Sequence, residues 1–506
     1  MSSVITLPEL RIHIGGSALS VRDAAALSEV RVRARLSLPA QCELVFRNPG
    51  TEDGQVRASR PGDALEIRVA GEQQPLFEGE VTAVDLCYGP RNDLSLRIRG
   101  YDLLHRLRKR QKVRVHVQVS AQDLARELVS DLGLAVEAEE SGPVHDRLYQ
   151  VGSTDLLLLQ TTAGKAGLYF THGGDALHLF TLEGLGDPVR LHLGKTLLEA
   201  RLEMNGDSAV RTVNTQGWDP TRGEARRGTA SSPRSGRSAD AEVDPSQVGG
   251  TGERIRVSLA VGSDRAADAV AQAELDREAA REVTFWGIAE GNPSFRPGTK
   301  VELAGIAPSF RGTYVLTSVD HVIDAEGGFL SELSTLPPVP VTASEATVTA
   351  LGIVTRVDDP EKLGRVRAKL PGHGDLETGW IEVVVPGAGK SKGLVALPGI
   401  DDRVLLLFPG GDPAQALVIG GLYGADGPPD AGVEAGAIRR YTFSTPGGQC
   451  VRLDDAGRKI RLEDSTGSYI ELGPERAVLH AAVDLTLEAP GRAIRVKSST
   501  VDFEQG

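Results

Sequence analysis

From Tyr441 onward, apolar and polar positions alternate in short triplets: Val451-Arg452-Leu453, Ile460-Arg461-Leu462, Ile470-Glu471-Leu472, Leu485-Thr486-Leu487, Ile494-Arg495-Val496 and Val501-Asp502-Phe503. Val478-Leu479 fills the remaining slot less regularly. In a strand the outer two side chains of such a triplet share one face and the middle one points away. Turn residues separate the triplets: Asp454 to Gly457, Asp464 to Gly467, Gly473-Pro474 and Pro490-Gly491. The predicted strand centres fall at 452, 461, 471, 479, 486, 495 and 502, a period of 7 to 10 residues. A meander of such short strands has one apolar face and two open edges, with nothing to cover them. A single-chain solenoid needs roughly 20 residues per coil, which leaves this segment only about three coils. Three chains wound together solve both problems, each giving one wall of a prism with the apolar pairs on the axis. Such a prism comes apart only by unthreading, so its stability is kinetic. The competing reading is an ordinary antiparallel meander packed on another domain.

Residues 345–425 alternate in the same way over a compact stretch. Leu351 to Val357, Arg365 to Leu370, Trp380 to Val385, Asp402 to Phe408 and Ala416 to Ile419 predict five short strands, the pattern of a small closed barrel of the OB type. The Arg365, Arg367 and Lys369 stripe reads as a solvated barrel face. Residues 1–340 mix strands with helices. Ala64 to Val69, Phe77 to Val84 and Leu94 to Arg99 alternate as strands of a first barrel-like unit. Ser120 with Asp123 predicts a capped helix stopped by Gly133, Ser153-Thr154-Asp155 opens a short one through Leu159, and Ser263 to Glu282 is a helix. Between Asp219 and Thr251 the large apolar residues are Val243 and Val248, beside five arginines. That composition predicts a flexible loop over 219–251. The fold class is therefore mainly β: barrel-like hub domains with a few helices over 1–340, an OB-fold barrel over 345–425 and an intertwined β-prism over 441–506.

Composition narrows the function. The net charge is −13, which argues against nucleic-acid binding as the main business of the chain. Within the barrel segment, residues 345–425, eight Lys/Arg face ten Asp/Glu, a net of −2, with few stacking aromatics. Val385 to Ser391 ends like a phosphate loop, but the first glycine of that pattern falls on Val384 and no helix follows. Cys42, Cys87 and Cys450 are widely spaced and odd in number, so neither a disulfide framework nor a metal knuckle is expected. The start lacks a basic and an apolar region, so no signal peptide is predicted, and no apolar run reaches the ~20 residues of a membrane span. The ten histidines are scattered, with no HxH pair, and no HExxH or GxSxG is present. No enzyme, no cofactor and no metal are expected.

The order of these parts resembles the VgrG family, the central spikes of contractile injection machines, and the hub-plus-needle proteins of contractile phage tails. Gly100-Tyr101-Asp102 through His105-Arg106-Leu107, then Asp131 to Leu134, Ser153 to Leu159 and Gly167 to Phe170, are similar to its hub. Gly352, Asp359-Pro360, Gly364 to Arg367, Trp380, Pro398 to Asp402, Gly410 to Pro413 and Val418 to Gly424 are similar to its OB barrel. The resemblance implies a homotrimer whose hub, two tube-like barrels per chain, joins the inner tube protein and baseplate proteins. Sheath contraction would drive the point through a target envelope with possible toxin cargo, touching the target membrane only transiently. Fewer than twenty residues separate Gly424 from Tyr441, so the lysozyme-like domain of some phage needles is not expected there. Nor is a long needle extension or an effector domain. These departures favour an extracellular-type machine over a phage tail or a type VI secretion spike. A carbohydrate- or nucleic-acid-binding OB protein is the alternative from another class. The chain is expected to be made in the cytoplasm and assembled into a phage-tail-like particle, retained or released. A PAAR-like tip cap is expected on Val501 and Phe503.

Overall fold

The computed structural model describes residues 7–49, 54–90, 93–219, 224–341 and 346–504. It is mainly β, and its contacts divide the chain into two units, 1–421 and 422–506. The first unit is organised by an 11-stranded sheet. One half comes from Leu10–Ile14, Ser17–Ala18, Leu27–Arg35, Gln41–Arg47, Ala64–Val69, Phe77–Tyr88 and Leu94–Tyr101. The other comes from Leu197–Met204, Val283–Glu290, Ser318–Asp324 and Gly328–Ser334. Each half curls over its own core: Leu44, Phe46, Ile67 and Ile98 in the first, Leu197, Phe285, Val301 and Leu316 in the second. The halves are stitched by antiparallel pairing of Ser318–Asp324 with Leu27–Arg35, with Val322 opposite Arg31. Alternation located three strands of the first half, at Ala64–Val69, Phe77–Val84 and Leu94–Arg99, named none of the second, and carried no sign of this stitch, which pairs segments far apart in sequence.

Between the halves lies a small helical module. Ser120 caps Ala121–Val129 through a complete capping box with Asp123, and Gly133 ends that turn in the left-handed region at φ 72. The second helix is longer than predicted, Asp155–Lys165, because Thr154 caps it and Leu156, Leu159 and Ala163 keep one face buried. The third helix, Asp264–Glu282, starts at Ser263 as expected.

The flexible loop expected over 219–251 is not what the structure shows. Residues 220–223 lie outside the described residues; Glu224–Ala230 is a strand paired with Thr212–Asp219, and the chain beyond it is strapped to the Asp264–Glu282 helix. Arg234 bonds the fully buried Asp276 at 2.9 Å and Glu140 at 2.6 Å. Arg237 and Arg211 reach Glu282 at 3.3 and 2.9 Å, and the Val243 amide donates to the same carboxylate at 2.8 Å. Arg234 and Arg237, counted above towards a flexible loop, are anchors for buried carboxylates, which a hydrophobicity argument does not register.

The barrel of the first unit has six strands: Val348–Arg356, Arg367–Leu370, Leu376–Glu377, Glu382–Val383, Arg403–Phe408 and Leu417–Leu422. They close on Val354, Ala368, Leu370, Val404, Leu406, Phe408 and Val418. The strand predicted over Trp380 to Val385 shrinks to Glu382–Val383 with a bridge between Val366 and Ile381. Arg365 is also not part of a solvated stripe. Its side chain is 6% exposed and forks onto Asp359 at 3.0 and 2.8 Å, while Arg367 lies over Trp380 at 4.9 Å. The phosphate-loop decoy is a tight turn bridged between Gly389 and Lys392.

One buried histidine makes the hub sensitive to acid. His321 is hydrogen-bonded on both ring nitrogens, to Ser331 Oγ at 2.8 Å and to the Phe295 carbonyl at 3.1 Å. Burial pushes its pKa from 6.5 down to about 4. The unfolded chain therefore binds this proton first: the stabilisation is complete above pH 6.5 and is lost as pH falls towards 4. His321→Gln, which can keep both hydrogen bonds but carries no proton, should remove about 2.5 kcal/mol of the stability difference between about pH 7 and about pH 4.5. Unfolding of both chains in denaturant at the two pH values measures this. An unchanged difference would show that His321 does not titrate on folding.

Candidate functional site

The second unit holds a five-stranded antiparallel meander: Arg440–Ser444, Cys450–Asp454, Lys459–Glu463, Tyr469–Leu472 and Ala477–His480. Its turns follow from the residues singled out above. Asp454 accepts from the Gly457 amide at 2.9 Å, and Asp464 accepts from the amides of Thr466 and Ser468, both at 2.9 Å. Four strands stand where the triplets placed them. The fifth, Arg440–Ser444, carries the same alternation in Tyr441-Thr442-Phe443, a signal the reading of triplets from Val451 passed over.

The register lines up the apolar residues across the sheet. Tyr441 faces Leu453, Phe443 faces Val451, Leu453 faces Ile460, and Val451 faces Leu462. Ile460 then faces Leu472, Leu462 faces Ile470, and Ile470 faces Leu479. All nine of these side chains lie on one face, and each is between 38% and 60% exposed. The charged face is the better covered of the two. Glu471, its side chain 13% exposed, takes Arg461 at 3.3 Å and Lys459 at 3.4 Å. Arg461 lies 3.9 Å over the Tyr469 ring, which stacks on His480. At the entrance Asp430 binds Arg440 at 3.1 Å, Thr442 at 2.8 Å and the Gly432 amide at 2.9 Å, contacts that hold its carboxyl well below the usual range. A folded sheet thus has its salt bridges made and its hydrophobic face bare, the reverse of a finished protein surface.

The remaining triplets do not pair within the chain. Residues 481–504 form no strand, and Leu485, Leu487, Ile494, Val496 and Val501 are each more than half exposed. The strands predicted at 486, 495 and 502 do not form within the single chain, which offers them no neighbouring strand. Of the two predicted tip residues, Val501 is 54% exposed and Phe503 94% exposed, with no side-chain contact described between them.

Comparisons with known proteins bear on both units. Residues 5–325 match the family described as the Alg8 N-terminal domain, and residues 350–423 match the type VI secretion system/phage-baseplate injector OB domain. The type VI secretion spike protein VgrG4b of Pseudomonas aeruginosa is 31% identical over 131 residues, 24% of this chain; the match spans only 15% of that protein's length. The Escherichia coli c3393 protein is a type VI secretion component similar to the T4 tail proteins gp27 and gp5. It superposes with a TM-score of 0.53 at 13% identity, covering 81% of this chain and 99% of its own. The Francisella PdpA-VgrG complex in its lidded form gives 0.54 at 8% identity, over 94% and 81%. The 43 kDa tail protein of prophage MuSo2 from Shewanella oneidensis gives 0.50 at 16% identity, over 64% and 97%. At these identities the structural likeness is one of fold.

Proposed function

Since the chain belongs to the family of the Alg8 N-terminal domain and is a VgrG-family spike protein, we propose that three copies close its bare sheet faces into the needle of a contractile injection baseplate. The carrying observation is the nine-residue apolar face over intact salt bridges. Three such walls, related by a threefold axis, bury every one of those side chains on the axis and leave Arg452, Arg461 and Glu471 outside. Strands at 485–487, 494–496 and 501–503, which have no partner in their own chain, then pair between chains. The first five strands form flat walls and the rest form the wound tip.

In this reading the protein works by shape and stiffness rather than by catalysis. The hub joins the inner tube, the OB barrel forms a collar, and sheath contraction carries the point through a target envelope together with any cargo. The chain would reach the membrane inside the particle. The Francisella VgrG is found in complex with PdpA, which supports the expectation that this spike also carries other proteins. Recovery of the chain in particles released to the medium would fit an extracellular-type machine. Recovery only from within cells would fit type VI secretion, and recovery in infectious particles a phage tail.

Electron microscopy of the full-length protein tests the assembly: class averages should show threefold symmetry about a narrow rod. Single-copy or two-copy particles would contradict the proposal. The exposed Phe503 motivates a second expectation, a small cap protein seated on the tip. A co-expressed PAAR-type cap should copurify with the full chain and not with one lacking residues 498–506. Equal recovery with both would remove Val501 and Phe503 from that role.

A further inference from the structure

The hub sheet ends in two strand edges that nothing covers. Eight of its strands lie side by side in the order Leu197–Met204, Val283–Glu290, Gly328–Ser334, Ser318–Asp324, Leu27–Arg35, Gln41–Arg47, Leu94–Tyr101, Phe77–Tyr88. Every neighbouring pair in that row is antiparallel, the stitch between the halves included. At one end, Leu197–Met204 pairs with Val283–Glu290 and, among the described residues, with no strand on its other side. At the other end, Phe77–Tyr88 pairs with Ala64–Val69 only as far as Glu80. Thr82 to Tyr88 therefore has Leu94–Tyr101 on one side and, among the described residues, no strand on the other.

The two edges carry matching faces. On the first, Leu202 packs on the core of the second half, and Met204, two residues on and on the same face, is 51% exposed. Arg201 and Glu203 take the outer face and pair with each other at 3.4 Å. On the second, Val84 packs on the core of the first half, and Leu86 and Tyr88 continue that face at 42% and 69% exposure. Asp85 and Cys87 take the outer face. An unpaired strand with an apolar face is a template for another strand. Neither stretch carries the lysine, proline or inward charge that keeps an exposed edge from pairing.

We infer that each edge takes the opposite edge of a second copy, so that Leu197–Met204 of one chain pairs with Thr82 to Tyr88 of the next. The strand count fixes the direction. Eight strands alternate, so the first and last run opposite ways, and a copy placed by rotation about an axis along the strands meets its neighbour antiparallel. The chain already makes such a join internally, between the end strands of its two halves. Each half spends one end strand on that stitch and leaves its other end strand free. A contact between two different edges is head-to-tail, and such contacts close into a ring when the rotation permits. The inference rests on the three-copy reading above, which supplies that rotation. A two-stranded join of this length is marginal in water by itself. It forms once the needle has brought the copies together and raised their local concentration.

Hydrogen exchange on the full chain tests the join. The outward-pointing amides of residues 82–88 and 198–204 should exchange at least about tenfold more slowly in the assembled protein than in a monomeric chain carrying Ile460→Asp and Leu462→Asp. Leu86→Lys with Tyr88→Lys changes two exposed side chains and blunts one edge. In that variant the mass should stay at three chains while protection is lost at 198–204, at the opposite end of its own sheet. Only a join between copies links those two stretches. Assembled protein whose 198–204 amides exchange as fast as in the monomeric chain overturns the inference and leaves the needle reading standing. Protection that persists in the double lysine variant does the same. A wild-type protein of single-chain mass overturns both. If the lysine variant does not fold, the comparison of wild type with the monomeric chain decides.

Discussion

Replacing Ile460 and Leu462 together by aspartate should convert the proposed trimer to monomers. Both residues sit at the centre of the bare face, Ile460 between Leu453 and Leu472, Leu462 between Val451 and Ile470. In a threefold prism each substitution is made three times, so six carboxylates would crowd the axis. Burying one leucine or isoleucine contributes roughly 1.5–3 kcal/mol, so the six lost side chains alone remove on the order of 10 kcal/mol from assembly. Carboxylates buried without cations add to that loss. The hub and barrel have their own cores, so far-ultraviolet circular dichroism should stay close to wild type while the mass falls to that of one chain. As a control, Glu463→Gln alters the charged face, where exposed ion pairs contribute little, and should leave the mass unchanged. A double aspartate variant that stays trimeric would mean that the apolar face is not the contact.

Asp359→Ala should cost the OB barrel about 3–5 kcal/mol, the range for removing one partner of a buried ion pair. Asp359 and Arg365 are 3% and 6% exposed at their side chains. The same carboxylate also accepts from the amides of Glu361 at 3.1 Å and Leu363 at 2.9 Å, so its loss frees a turn as well as a buried guanidinium. Asp359→Asn keeps an acceptor and should cost less. Hydrogen exchange within 350–423 of the full chain gives the local readout: protection should drop there and not in the hub core around Phe46 and Ile98. Wild-type protection in the alanine variant would show that the pair is dispensable.

The strands of the second unit were legible where strand period and turn chemistry coincided. Val451-Arg-Leu453, Ile460-Arg-Leu462 and Ile470-Glu-Leu472 fell into strands with turns set by Asp454 and Asp464, because period-2 alternation and Asx turns are both local. The triplets at 485–487, 494–496 and 501–503 carry the same signal but no strand, since pairing needs a neighbour that one chain does not supply. In the hub, local signals found Ser120, Thr154 and Ser263 as caps or their immediate neighbours. They missed the Arg234–Asp276 and Arg237–Glu282 anchors, which join residues about forty apart in the sequence. Nor could composition separate Arg365, folded back onto Asp359, from a solvated stripe.

The central claim is that the bare face is covered by two further copies of the same chain. Multi-angle light scattering on the purified full-length protein measures that directly. The account predicts a single species near three times the chain mass of 53.6 kDa. A stable, soluble species at 53.6 kDa, with the apolar face of residues 441–479 open to solvent, would contradict it.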